Sequence, residues 1–279
     1  MIIRLLLPVA LLTFTIPTVG AQDARSVLQA VSANIGASNL KTLQFSGTGW
    51  SGAPGQSFTP DDDWPRFDVT SYSRTIDYEA RTSREELTRV QGNNPVRGGG
   101  GTPIQGEQRQ AFFVSDTSAW NVQGGNPVPA QAAAEQRQLD IWLTPHGVVK
   151  AALAANPTVV SMLVPAPQGS RRTRVVTFTA LGKYRVNGLI SDDNLIELVQ
   201  TWVANPVLGD MLYETRYTNY KDFGGIKFPT VLHSHQGDPR LNQGHNSMEV
   251  RVTDARPNVS VPPLTVPDAA RQPAAPVSR

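Results

Sequence analysis

Apolar and polar residues alternate along most of this chain, and only a few stretches carry a helical period. From Leu43 to Trp50, Leu43, Phe45, Gly47 and Gly49 fall on one face and Gln44, Ser46, Thr48 and Trp50 on the other, the pattern of a half-buried strand. Glycine thins this strand where another element approaches closely. Phe67 to Gln91 reads as two long strands or one bent ribbon, with Tyr72, Ile76 and Tyr78 on a common face. Ala111 to Val122 predicts one further strand carrying Phe112, Phe113 and Trp120. The C-terminal half contributes six more, over 174–180, 183–191, 194–203, 212–220, 226–236 and 247–254. Their connections are short, so neighbours must run antiparallel, as a meander. The clearest corner joins Leu212–Tyr220 to Ile226–Gln236 across Asp222-Phe223-Gly224-Gly225, because glycine supplies the positive backbone angles of a tight hairpin cheaply.

The period changes in three places. Asp23 can cap a helix whose Val27, Leu28, Val31 and Ile35 share one stripe, ended by Gly36 and Asn39. Ala132 to Leu143 predicts a second helix with Leu139, Trp142 and Leu143 on its apolar side. Thr144-Pro145 opens a third, to about Ala155, since threonine caps and proline is tolerated at the first helical position. Loops are expected over 51–65 and 92–106, and the charged run Arg81–Arg89 reads as a solvated outer face.

Composition then bounds the class. The 279 residues, 39% hydrophobic and 17% charged with 23 Gly and 22 Pro, describe a turn-rich globular chain that can bury a sizeable core. Arg4, the apolar run Leu5–Val19 and the small residues Val19-Gly20-Ala21 have the layout of a secretory signal peptide. Pro8 and Pro17 interrupt that run, which is short for a membrane-spanning helix. The sequence thus divides into a signal peptide at 1–21, a β-rich domain at 22–265 and a Pro/Ala-rich tail or linker at 266–279, and it predicts a periplasmic or secreted location. With no cysteine, neither disulfides nor a lipidated cysteine is available. Removing the leader takes away Arg4 alone, so 25 basic minus 23 acidic residues becomes 24 minus 23, too even a balance for a nucleic-acid surface.

Candidate chemistry is sparse. His233 and His235 fall on one face of a strand, a workable geometry for two imidazole ligands with His245 downstream, but Gly237 and Asp238 stand where a zinc-hydrolase motif needs Asp and His. Gly49-Trp50-Ser51-Gly52-Ala53 lacks the last glycine of a nucleophile elbow. The glycine run before Thr102 lacks the Gly-Lys-Ser/Thr ending of a phosphate loop, and Asp61–Asp63 and Asp192-Asp193 read as turn chemistry. No catalytic residue, metal ligand or cofactor is therefore assigned. What remains is a set of aromatics on alternating or helical stripes, Phe45, Tyr72, Tyr78, Trp142, Tyr217 and Phe228, which either line a cavity or fill an ordinary core.

The exported leader, the opening helix, the long meander, the helical insertion and the run Tyr217-x-x-Tyr220-x-Asp222-x-Gly224-Gly225-Ile226-x-Phe228-Pro229 together resemble the LolA/LolB-like periplasmic lipoprotein and lipid carriers. The resemblance implies an α+β, mainly β fold: a half-open antiparallel β-barrel with an N-terminal helix and a central helical lid. It also implies an apolar or amphipathic ligand, such as a lipid or acyl chain, in the concave sheet, for which the six aromatics on these stripes are the candidate lining. The segments 138–147 and 220–229 are also similar to the region preceding the catalytic domain of exported metallo-β-lactamase-fold hydrolases. That likeness implies an accessory domain of, or partner to, such a hydrolase, whose His-x-His-x-Asp-His motif is missing here.

Overall fold

The computed structural model describes residues 19–54, 56–57, 59, 62–93, 95, 104–166, 169–205, 209–237 and 245–271. Residues 1–18 of the expected signal peptide, the glycine run 98–101, Asp61, Asp238 and residues 272–279 lie outside the described residues. Helix α1 spans Val19–Ile35, and strands β1 (Thr42–Gly52), β2 (Arg66–Asp77), β3 (Thr82–Gln91), β4 (Gln108–Ser115), β5 (Ser118–Gln123) and β6 (Asn126–Pro129) follow. Helices α2 (Ala134–Trp142) and α3 (Pro145–Ala154) come next. The chain then runs through β7 (Thr158–Ala166), β8 (Gly169–Ala180), β9 (Tyr184–Ile190), β10 (Ile196–Asn205), β11 (Gly209–Asp222), β12 (Lys227–Gln236) and β13 (His245–Pro257).

Among the described residues these thirteen strands form one antiparallel sheet in the order β6-β5-β4-β3-β2-β1-β13-β12-β11-β10-β9-β8-β7. At about 4.8 Å per strand, such a sheet laid flat would be roughly 58 Å wide. Yet α2 packs on β3, β4 and β5 near one end, α1 touches β7 at the other, and α3 lies between them in contact with both helices. The sheet therefore curls around the three helices, and with no further strand paired to β6 or β7 among the described residues the barrel stays open. The expected mainly β, half-open barrel with an N-terminal helix and a helical lid is what the chain forms.

Local chemistry explains the elements. Thr144 caps α3: its hydroxyl accepts from Gly147 N at 3.1 Å and from the Tyr78 hydroxyl at 2.9 Å, and donates to Ile141 O at 3.0 Å. At the predicted hairpin, Gly224 and Gly225 have φ of 64° and 91°, Phe223 N donates to Ile226 O at 2.8 Å and Gly225 N to Asp222 Oδ1 at 3.2 Å. Gly47 and Gly49 permit the close approach of β13, since a Cβ there would lie 2.0 and 1.9 Å from the carbonyl oxygens of Arg251 and Glu249.

Two cores fill the helix side. In one, Leu28, Val31 and Ile35 of α1 and Val148, Val149 and Ala152 of α3 pack on Val176, Phe178, Val186, Ile190, Ile196 and Val199. In the other, Ile141 of α2 meets Leu43, Phe45, Tyr72, Ile76, Tyr78, Phe228 and Val250. His146 is sealed between them, fully buried, with Nε2 2.9 Å from Ile35 O, its ring stacked on Phe228 at 5.9 Å and its pKa depressed by burial to about 4.

Several expectations change. α1 begins at Val19, so Asp23 lies within the helix and does not cap it, because no breaker separates Val19–Gln22 from the amphipathic run. The single strand expected over 111–122 is a hairpin, β4 and β5, turning at Asp116, whose φ is 49°. Strand β7 was not predicted; its Val159-Val160-Ser161-Met162-Leu163-Val164 run does not alternate, which hides it from a period-2 reading.

Candidate functional site on the concave face

Cross-strand register places one row of residues across the concave side: Phe45 of β1 opposite Arg74 of β2, Arg74 opposite Glu85 of β3, Glu85 opposite Phe112 of β4, and Phe112 opposite Asn121 of β5. The flanking rows, Leu43–Ile76–Ser83–Val114 and Gly47–Tyr72–Leu87, are mainly apolar and, apart from the half-exposed Gly47, buried. Arg74 and Glu85 are thus charged residues at inward positions of an otherwise apolar face. Glu85 in particular, within the run read as a solvated outer face, turns inward and accepts from the Tyr72 hydroxyl at 2.8 Å. Arg74 Nε donates to Ser83 Oγ at 3.1 Å.

The α2 helix adds to this cluster from above. Asp140 accepts from Gln136 Nε2 at 2.9 Å. Burial pushes its pKa up to about 6, against the pull of Arg74 and the Gln136 hydrogen bond, with Glu85 pushing further the same way. Arg137 bridges α2 to the sheet, donating to Phe113 O (3.0 Å), Trp120 O (2.9 Å) and Asn121 Oδ1 (2.6 Å). From β11, the Tyr213 phenol is driven well above its ordinary pKa by burial and then by Asp140. Tyr213, Arg74, Glu85 and Asp140 all keep partial solvent exposure, as do the apolar Phe112, Trp142, Leu232 and Met248 packed at the margin of the second core. The concave face is therefore solid beneath α1 and α3 and incompletely covered beside α2, where a small charged cluster is ringed by aromatic and aliphatic side chains.

The six predicted lining aromatics lie around this cluster in different roles. The Phe45 ring packs in a tilted arrangement 5.8 Å from Tyr72 and 5.0 Å from Phe228, and Tyr78 lies 6.2 Å from Trp142. Tyr217 donates to Leu143 O at 2.8 Å. Phe45, Tyr72, Tyr78, Tyr217 and Phe228 are all at most 5% exposed, whereas Trp142 is partly open. Arg74, Glu85, Asp140 and Tyr213 were not singled out from the sequence. The available signal was parity: Arg74 lies between Tyr72 and Ile76, and Glu85 between Ser83 and Leu87, on the inward face.

On the outer face, a groove of about 670 Å³ is lined among others by Leu189, Leu198, Leu212, Gln200, Glu214 and Arg216 and is bordered by Tyr217. Its buried carboxylate is already satisfied, Glu214 accepting from Gln200 at 2.7 Å and Arg216 at 3.0 Å. The histidines do not assemble a metal centre: His233 has Nδ1 3.0 Å from Glu249 Oε2 and Nε2 2.7 Å from Asn246 Oδ1, and His245 stacks on Trp64. Among the described residues no group of three or more His, Asp or Glu is arranged to hold a metal ion, and no helix is long and apolar enough to cross a membrane.

No family model and no curated protein matches the chain. It is similar in structure to a LolA superfamily protein from Nitrosomonas europaea, at 12% identity and a TM-score of 0.49 over 87% of this chain and 95% of that one. It is also similar to a DUF1329 family protein from Desulfovibrio piger, at 9% identity and a TM-score of 0.46 over the same shares. A putative outer membrane lipoprotein-sorting protein domain from Vibrio parahaemolyticus gives 11% identity and a TM-score of 0.46, again over 87% and 95%. At these identities and scores, function has to be sought in the chain's own geometry.

Proposed function

We propose that this protein is a non-catalytic extracytoplasmic module that holds an amphipathic molecule, such as a lipid or acyl chain, on its concave face beside α2. The observation that carries this reading is the partly exposed Arg74–Glu85–Asp140 cluster set into an apolar sheet face. Keeping such charges away from bulk water costs stability that an all-apolar row would not, so their retention is best explained by a ligand with a polar end. The apolar portion would lie against Phe112, Trp142, Tyr213, Leu232 and Met248, each buried methylene contributing about 0.8 kcal/mol. Tyr72 and Trp142 would touch it, while Phe45, Tyr78, Tyr217 and Phe228 form the rigid wall behind them.

Titration of the protein with a fluorescent fatty-acid analogue tests this reading. Saturable binding that weakens about tenfold in Trp142→Ala is expected, with the circular dichroism spectrum unchanged. Absence of saturable binding, or binding indifferent to both Trp142→Ala and Arg74→Gln, would remove it.

A further inference from the structure

The two ends of the sheet are finished in opposite ways. β6, at one end, is four residues long, contains Pro127 and Pro129, and is packed against the turn at Asp268–Ala270, while Leu264 and Val266 pack with Ala270 on Phe113 and Trp120. Such short, proline-bearing, covered edges prevent further pairing. β7, at the other end, is nine residues long and apolar, has a single proline, Pro165, next to its last residue, and is open on both faces over residues 160–163. Of the six large apolar side chains that are exposed among the described residues, three are here: Val160 (55%), Met162 (47%) and Leu163 (62%).

The register gives this end a shape. β8 pairs with β7 from Gly169 to Thr177, but β9 joins β8 only from Arg174 onward. Met162–Ala166 and Gly169–Thr173 therefore extend past β9 as a two-stranded ribbon. Met162 and Leu163, consecutive in a strand, point to opposite sides of it, so the ribbon is apolar on both faces along β7 while β8 carries Arg171 and Arg172. Arg171, midway along the ribbon opposite Val164, is held by Glu197 of β10, and Arg172 is exposed. Charge is segregated too: residues 158–190 contain Arg171, Arg172, Arg174, Lys183 and Arg185 and no Asp or Glu.

We infer that the β7–β8 ribbon docks the protein on an anionic lipid surface, with Met162 and Leu163 entering the boundary between headgroups and acyl chains and Arg171 and Arg172 lying against lipid phosphates. Exposed apolar side chains on both faces suit immersion better than a one-sided protein contact. The basic character of the segment, offset only at Arg171 by Glu197 and at Lys183 by Glu135, opposes pairing of β7 with a second copy of this chain. Insertion is shallow, because the unpaired edge of β7 has backbone groups that require water or headgroup partners.

The absence of cysteine makes the test clean. Leu163→Cys is labelled with an environment-sensitive dye and titrated with phosphatidylcholine vesicles with and without phosphatidylglycerol. Leu181→Cys, at the opposite end of β8, serves as the control position. A blue shift at position 163 but not at 181, dependent on phosphatidylglycerol and suppressed by high salt, is expected. Arg171→Gln and Arg172→Gln should each weaken it about fivefold. Met162→Ser should weaken it several-fold without moving the thermal midpoint. No shift at 163, an equal shift at 181, or a shift indifferent to the arginine substitutions would overturn the assignment, and capture of an acidic soluble peptide with no response to vesicles would place a protein there instead. Trp142→Ala leaves vesicle docking intact on this reading, so failure of the concave site and failure of the ribbon are separable.

Discussion

Replacing Asp140 by Asn should stabilise the protein at neutral pH and reshape its pH dependence. In the folded state the Asp140 carboxyl titrates at about 6 in place of its usual 3.8, chiefly because of burial. Between those values the folded protein keeps a proton that the unfolded chain has released, so stability falls as pH rises through this window and stays reduced above it. Two units correspond to at most about 3 kcal/mol, and the partial exposure of Asp140 reduces this to roughly 1–2 kcal/mol. His146 acts in the opposite sense. Held neutral down to about 4, it contributes stability that is fully present above 6.5 and is lost as pH falls towards 4, up to about 3 kcal/mol for this fully buried ring. In the wild type the two slopes partly cancel between pH 4 and 6. In Asp140→Asn the opposing slope is gone and that of His146 remains, reinforced in the same sense by the depressed His235, Asp63 and Glu249, so urea denaturation at half-unit steps from pH 4 to 8 should show a variant gaining stability more steeply than wild type, and more stable by about 1–2 kcal/mol above pH 7. A variant destabilised by more than about 1 kcal/mol at pH 7 would refute the reasoning, since it would show that Arg74 outweighs burial and the carboxylate is structural.

Further consequences can be checked by denaturation. Thr144→Val leaves the Tyr78 hydroxyl and Gly147 N without their shared acceptor and should cost about 2–4 kcal/mol, whereas Thr144→Ser should cost less than about 1 kcal/mol. Gly49→Ala places a methyl 1.9 Å from Glu249 O, so β1 and β13 must part locally; a loss of at least about 3 kcal/mol or failure to fold is expected. Phe228→Ala removes the ring against which Phe45 packs and on which His146 stacks, and should cost about 3–5 kcal/mol, read as a lowered urea midpoint.

The architecture was legible where side-chain chemistry dictates backbone shape. The Gly224-Gly225 corner, the Thr144-Pro145 helix start and the strict alternation through Tyr72–Tyr78 all led to the observed elements. Legibility failed where pattern and environment separate. β7 is apolar on both faces because it projects from a sheet edge, so no alternation marks it. The β4–β5 turn rests on Asp116 at positive φ, with no glycine to announce it. The six aromatics were identifiable as inward residues, but their packing depends on partners far along the chain, as when Tyr217 reaches Leu143. Arg74, Glu85 and Asp140 escaped because charge at an inward position gains meaning only once α2 is seen to lie over β3 and β4.

Native mass spectrometry of the protein, purified without detergent and then exposed to a long-chain fatty acid, tests the central claim most directly. Concave-face binding predicts an adduct of the amphiphile's mass that is strongly reduced in Trp142→Ala and in Arg74→Gln but retained in Leu198→Ala of the outer groove. Bare protein under all conditions, or an adduct lost only in Leu198→Ala, would contradict it.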